Sequence, residues 1–471
     1  MPGAQHHSPL GAFVCFLSSL ALPRRALAVG IGLVAALMLL VIAAKRTLEG
    51  PVDITWVFYA NFALVYTLQV APILVYGAFS LKRPRRFPYH APAVRFLCLI
   101  PAHNEEAVIH NPVESLVGQS YPKALYQVWV VSDGSTDRTD DVARSLGAGV
   151  IRTSSGGMGK HRALAHAFAH LLPDADEGLY VCVIDADNRV DANYLQEMNN
   201  AICERGFRCL QSFHDVLNGR DNWITKSLWL NCVASSHMYN PGRSQSFGTA
   251  LICGTGWCCE AGLLKKYWPM IRTQTEDIEL TGLLLLHEGI GVPWITGTHI
   301  YDEKPRNLWV AIRQRHRWMI GHMRVAGYLF WPLVRDGIRR RDPRLIELAS
   351  YYLLPFVMNL GNLQIFLLAG MQLGILAVQG PLGGNTLHQG IVNGVTLVYV
   401  FVYQVAGFGI ETRQWGRAVL YTLYAVVFSF LAWTPALIWA CFTVSRQDWV
   451  FHTPHIAGID TPMSATRVRA G

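Results

Sequence analysis

Five stretches of this 471-residue chain are long, apolar and nearly free of charge: Ala26 to Ala44, Ile54 to Leu81, Leu348 to Gln379, Gly390 to Ile410 and Ala418 to Val444. A helix crossing the hydrocarbon core of a bilayer needs about 20 such residues, and only a helix or closed barrel satisfies its backbone there. Two of the stretches precede, and three follow, a central region of ordinary globular composition. The expected plan is therefore a folded domain held between membrane helices. Composition agrees, since 51% of residues are hydrophobic and 15% charged, against about 25% charged in a typical soluble domain.

The corresponding division is residues 1–90 with two spans, 91–310 as a cytosolic domain, 311–345 as interfacial amphipathic helices, 346–445 as C-terminal spans and 446–471 as a tail. Leu10 to Leu22 is too short to span, and no small-residue cleavage site follows it, so an interfacial helix and a retained N-terminus are expected. Arg24 and Arg25 before the first span, and Lys82, Arg83, Arg85 and Arg86 after the second, place the central domain on the cytosolic face. Arg339, Arg340, Arg341 and Arg344 before the third span agree, whereas Lys45 and Arg46 oppose this orientation. The net charge of +8 is concentrated in these flanks, which points to anionic lipid and away from nucleic acid. Ten cysteines without a CxxC pair, among them Cys98, Cys182 and Cys441 in apolar surroundings, read as reduced buried thiols.

From Phe96 onward, short apolar runs (FLCLIP, QVWVV, the strand around Val150, LYVCVID) alternate with helical patterns, including one over Gly159 to Leu172. This is the βαβ rhythm of a mostly parallel sheet covered on both faces. Ligands of such sheets bind beyond the carboxyl ends of the strands, which brings Asn104, Glu105, Asp133, Asp185 and Asp187 towards one crevice. Asp133, in DGST, suits a turn or helix cap as well as a carboxylate that accepts from a base or ribose. Asp185 and Asp187, in DADN, end a buried apolar run, where two carboxylates one residue apart need a cation. A hard divalent ion that keeps waters and takes substrate phosphates fits, and Arg189 is the metal-free alternative. Lys160, in GGMGKHR at a helix start, could meet a phosphate, although the spacing is not that of a P-loop. Glu276 and Asp277 follow Thr275, a candidate N-cap, so ordinary capping would account for both. Gln314, Arg317 and Trp318 lie in a basic aromatic segment that also reads as an interfacial helix.

Taken in order, PAHNEE, DGS, GK, DAD, TED and QxxRW framed by membrane spans resemble the family-2 glycosyltransferases of GT-A fold. Within them, the closest resemblance is to the processive membrane synthases of cellulose, chitin, hyaluronan and poly-N-acetylglucosamine, over roughly Val94 to Val325. The resemblance implies an α/β GT-A domain between transmembrane helices and a UDP-sugar donor. Asp133 would bind uracil or ribose, with Ala102 and Glu105 nearby, and Lys160 would approach the diphosphate. Asp185 and Asp187 would hold Mg²⁺ or Mn²⁺ on it, Asp277 beside Glu276 would be the general base, and Gln314 and Arg317 would steady the leaving diphosphate. Trp318, Cys253 and Gly254 would face the acceptor, Trp257 being a weaker match. One in-line displacement inverts the anomeric centre and gives a β-linkage from an α-linked donor. UDP-N-acetylglucosamine and UDP-glucose lead the donors, and an accessory subunit has a place in such systems. No cyclic-dinucleotide-binding domain is expected. The preferred acceptor is a growing polysaccharide, with single transfer to a lipid as the alternative and a non-catalytic transport or scaffold subunit as the rival outside catalysis.

Overall fold

The computed structural model describes residues 71–80, 86–153, 157, 159–172, 178–354, 356–357 and 402–445. The expected span Ala26 to Ala44 lies outside these residues, as do most of Ile54 to Leu81 and Leu348 to Gln379 and the first part of Gly390 to Ile410. Within the described part, Ala71–Ser80 (α1) is helical, residues 343–354 are helical, and Trp415–Thr443 forms one 29-residue apolar helix with mean hydropathy 1.9. That helix is long and apolar enough to cross a membrane, and only a third of its most apolar 18-residue stretch is buried. Leu423, Leu431, Ile438 and Phe442 stand exposed along it.

The central domain is built on eight strands: β1 (Arg95–Ala102), β2 (Tyr126–Ser132), β3 (Gly149–Arg152), β4 (Leu179–Val183), β5 (Arg189–Val190), β6 (Cys209–Val216), β7 (Trp257–Glu260) and β8 (Trp294–Asp302). Their order is β3-β2-β1-β4-β7-β6-β8-β5. β3, β2, β1 and β4 are parallel, as the rhythm of the sequence predicts. Beyond β4 the sheet is mixed, because β7 runs antiparallel to both β4 and β6, and β5 antiparallel to β8. The chain reaches β7 from β6 through the helices Trp223–Ala234 and Asn240–Phe247 and then the turn of Gly254 and Gly256, whose φ angles are 75° and 70°.

Side chains alternate across the sheet as the pleat requires. Leu97, Leu99, Val131, Val181 and Val183 pack on one face against Lys160–Leu171 (α2) and Glu276–Glu288 (α3). Phe96, Cys98, Ile100, Val128, Val130 and Cys182 fill the other face against Tyr194–Arg205. Cys98 and Cys182 are free, fully buried and paired in register, as expected of inert thiols, whereas Cys441 is only half-buried.

A 33-residue helix, α4 (Leu308–Arg340), leaves the domain with Asn307 capping the backbone N–H groups of Trp309 and Val310, and it carries the QxxRW motif near its start. Helices from three parts of the chain are joined by a buried ion pair. Arg243, fully buried, donates from Nε to Glu347 Oε1 at 2.9 Å, and Tyr76 Oη of α1 donates to the same oxygen at 2.6 Å. Glu347→Ala leaves Arg243 buried without its counter-ion, and we expect a loss of about 3–5 kcal/mol, read as a lower unfolding midpoint of the purified protein.

Candidate active site

The loops after β1 and β2 interlock. Asn104 adopts a left-handed φ of 55°, and its Oδ1 accepts from Thr136 N at 2.8 Å. Asp133, at the end of β2, is buried; its N–H donates to Ala102 O at 2.8 Å, and its own carbonyl lies 2.7 Å from His103 Nδ1. The Asp133 carboxylate accepts from Thr153 Oγ1 at 3.0 Å and from Gly159 N at 2.8 Å. It therefore ties the β2 turn to the glycine loop that starts α2. Glu105 is buried beneath, with its backbone N–H on Thr139 Oγ1.

Lys160, the first residue of α2, reaches across the mouth of the sheet. Its Nζ lies 2.6 Å from Asp185 Oδ1, 2.6 Å from Gly254 O and 3.4 Å from Glu276 Oε1. Burial opposes its charge, yet Asp185 and Glu276 outweigh this and hold the ammonium above the ordinary lysine range. Four sequence motifs thus meet on one nitrogen: GK, the first aspartate of DAD, the CGTG turn and the glutamate of TED. Asp277, next in α3, is half-buried, and a Cβ at Gly254 would stand 3.6 Å from its Oδ2. Burial, reinforced by the neighbouring Glu276, pushes its carboxyl up to about 7.

Capping does not explain these acids, contrary to the simplest reading of the sequence. Thr275 occupies the cap position of α3 but makes no capping bond. The loop is held instead by fully buried Glu279, which accepts from Arg272 N, Thr273 N and Thr273 Oγ1 at 2.6–2.9 Å. Glu276 is buried, 3.4 Å from Lys160 Nζ, where it serves as a counter-ion to the ammonium.

Cys253 stands beside this acid cluster with its thiol pushed up to about 12 by burial and by Asp277, so it stays protonated. Trp257 is fully buried and donates from Nε1 to Gly254 O at 3.0 Å, a core position that supports the turn from behind.

Sequence reasoning passed over Thr255. Its Oγ1 accepts from Asp185 N at 2.9 Å and Asn188 Nδ2 at 2.7 Å, and its carbonyl meets Gln211 Nε2 and His214 Nε2, each at 2.9 Å. A threonine between two glycines carries no motif of its own; only the pairing of β7 with β4 shows that it lies under the DAD turn.

Gln314, Arg317 and Trp318 lie together early in α4, each half-buried. Gln314 Oε1 is buried without a hydrogen-bond partner, and the Trp318 ring lies 6.2 Å from that of Trp433 on the apolar helix.

Asp185 and Asp187 are both half-buried at the strand end. Among the described residues no group of three or more His, Cys, Asp or Glu forms a closed metal cage. One or two carboxylates with open positions suit a hard ion such as Mg²⁺ or Mn²⁺ that is completed by water and phosphate oxygens. The donor set fits such an ion, and the ammonium already on Asp185 shows that this oxygen takes a cation.

Residues 92–321 match the model of the glycosyltransferase-like family 2. Over these residues the chain is similar to the family-2 glycosyltransferases. Among curated proteins, a probable glycosyltransferase YdaM of Bacillus subtilis is 28% identical over 239 residues, 48% of this chain and 55% of that one. A β-monoglucosyldiacylglycerol synthase of Synechocystis is 27% identical over 314 residues, 64% of each chain. The chain therefore spans 55% and 64% of these relatives' lengths. Among solved structures, a mannosyltransferase of Pyrobaculum calidifontis in complex with GDP-Man and Mn²⁺ aligns at a TM-score of 0.48 and 18% identity, covering 79% of this chain and 99% of that one.

Thr255 orients both the backbone of Asp185 and the side chain of Asn188, as a support behind metal-binding carboxylates would. Thr255→Val keeps the shape and removes the acceptor. It should weaken Mn²⁺ binding in the presence of UDP by about 10–100-fold, as measured by titration calorimetry, with a folded protein by circular dichroism.

Proposed function

We propose that the chain transfers one sugar from a UDP-sugar to a lipid acceptor at the membrane surface, with inversion, using Mg²⁺ or Mn²⁺. The observation that carries this is the placement of Asp277, a carboxyl poised at about 7, beside the turn where Lys160 meets Asp185. In that arrangement Asp277 removes the proton from an acceptor hydroxyl, since a base works best when its pKa lies near the working pH. Lys160 and the start of α2 face the donor diphosphate, and Asp133 with the β1 and β2 loops takes the nucleoside. A divalent ion on Asp185 and Asp187 would supply charge neutralisation at the departing UDP. Arg317 and Gln314 approach the same diphosphate from α4, and Trp318 stands on the acceptor side.

The lipid acceptor replaces the polymer as the preferred reading. The polymer is favoured by three C-terminal spans and by the aromatic approach helix with Trp331, and two of those spans fall mainly outside the described residues. Relatives that match over the longest stretches include β-monoglucosyldiacylglycerol synthases. The exposed apolar helix next to Trp318 is a surface on which a lipid can approach without leaving the bilayer.

The deciding experiment supplies the purified protein in lipid nanodiscs with Mn²⁺, dioleoylglycerol and UDP-sugars one at a time. A single glycosylated lipid, identified by mass spectrometry, supports the proposal; a high-molecular-weight, glycosidase-sensitive product would return the polymer reading.

Two variants probe the chemistry. Asp277→Asn should lower kcat by about 10²–10⁴-fold while UDP binding by calorimetry changes little. In the wild type the base must be ionised, so kcat/KM should fall as pH drops through about 7, and this limb should be missing from the residual activity of Asp277→Asn. Asp187→Ala should remove transfer together with the dependence of UDP affinity on Mn²⁺.

A further inference from the structure

Arg315, inside the QxxRW motif but outside its named positions, is fully buried and has no carboxylate partner among the described residues. Its Nη1 donates to Ala311 O of its own helix at 2.9 Å, and its Nε has no hydrogen-bond partner. Around the guanidinium stand three rings: Phe428 at 4.6 Å, Trp433 at 5.1 Å and Trp318 at 5.4 Å. Trp318 belongs to the motif, while Phe428 and Trp433 belong to the apolar helix Trp415–Thr443. The box is therefore made from both sides of the junction between the transferase domain and the membrane.

A buried cation without a counter-ion is unfavourable, and an unbranched apolar side chain would fill the same space without that penalty. What a guanidinium adds is direction. It is planar, and its attraction to ring faces within about 6 Å falls away when the rings tilt or withdraw. Trp433 closes a π-helical turn, Ser429–Trp433, in an otherwise α-helical rod, and such turns recur where a helix is reshaped for function. The next residue repeats the connection: His316 stacks on Trp439 at 3.9 Å and places Nε2 2.6 Å from Thr443 Oγ1.

We propose that Arg315 is a positioning residue that seats the apolar helix against Trp318 and thereby sets the acceptor side of the site. The inference rests on the transferase reading above but not on the acceptor being a lipid. Arg315 touches neither Asp185 nor Lys160, so its effect separates from donor binding.

The test uses the full chain in nanodiscs and three variants, Arg315→Met, Arg315→Lys and Trp433→Leu. UDP affinity with Mn²⁺, UDP release without acceptor, and kinetics with the acceptor that the wild type uses are measured for each, dioleoylglycerol being tried first. Arg315→Met should keep UDP affinity and thermal midpoint near wild type and lower kcat/KM for the acceptor by about tenfold or more. Trp433→Leu should show the same split, and Arg315→Lys should recover part of the loss. Wild-type acceptor kinetics in Arg315→Met, or equal losses on the donor and acceptor sides, would overturn the proposal. Should Arg315→Met fail to fold, Trp433→Leu decides by the same readouts. If the wild type elongates a polymer and leaves the lipid untouched, the lipid reading falls, and the split is measured on elongation.

Discussion

Lys160 is the point on which the site depends. A single ammonium touches the strand-end carboxylate of Asp185, the carbonyl of Gly254 and the carboxylate of Glu276, groups that come from the ends of β4, the turn before β7 and the start of α3. Without that charge, acids from two elements would face each other in a partly desolvated cleft, where like charges repel strongly. With it, the acids are held close. Glu276 is engaged with the lysine, and Asp277, one residue on, is raised by its burial and by Glu276.

Support for this cluster lies behind it, in the sheet. Gln211 of β6 donates to Thr255 O and accepts from Cys253 N at 2.9 Å, His214 meets the same carbonyl, and Thr255 carries the contact on to Asp185 N. A mixed sheet makes this route available. Because β7 runs antiparallel between β4 and β6, the turn that precedes it opens at the same end as the carboxyl end of β4. A fully parallel sheet would send that turn to the opposite end and leave Asp185 without its backing.

Much of this was legible in the sequence, for reasons that can be stated. The βαβ rhythm through β4 is a matter of local periodicity, and the expected strands and the helix after GGMGK appear within a residue or two of their places. Asp185 and Asp187 were recognisable because paired acids after an apolar run are costly. The reversal at β7 was not legible, since no periodicity tells a parallel from an antiparallel strand once the connection is long. Thr255, Gln211 and His214 were hidden for the same reason: each acts through contacts across strands far apart in sequence. Thr275 and Glu276 were misleading in the opposite sense. A good capping pattern was present, but the loop is closed by Glu279, and Glu276 is drawn off by a lysine 116 residues away.

The side of the apolar helix follows a different logic from the cleft. In the cleft, charges are balanced within a few ångströms, and their chemistry comes from small imbalances. At the junction with the apolar helix, Arg315 is left unbalanced and surrounded by rings, an arrangement that gives up electrostatic neutrality for orientation. The two regions meet on α4, where Gln314, Arg317 and Trp318 are carried by a helix capped at Asn307 on the domain side and clasped by Trp433 and Trp439 on the other. That first stretch of α4, about 1.5 Å per residue, is held between its Asn307 cap and the apolar helix and so fixes where Gln314, Arg317 and Trp318 stand.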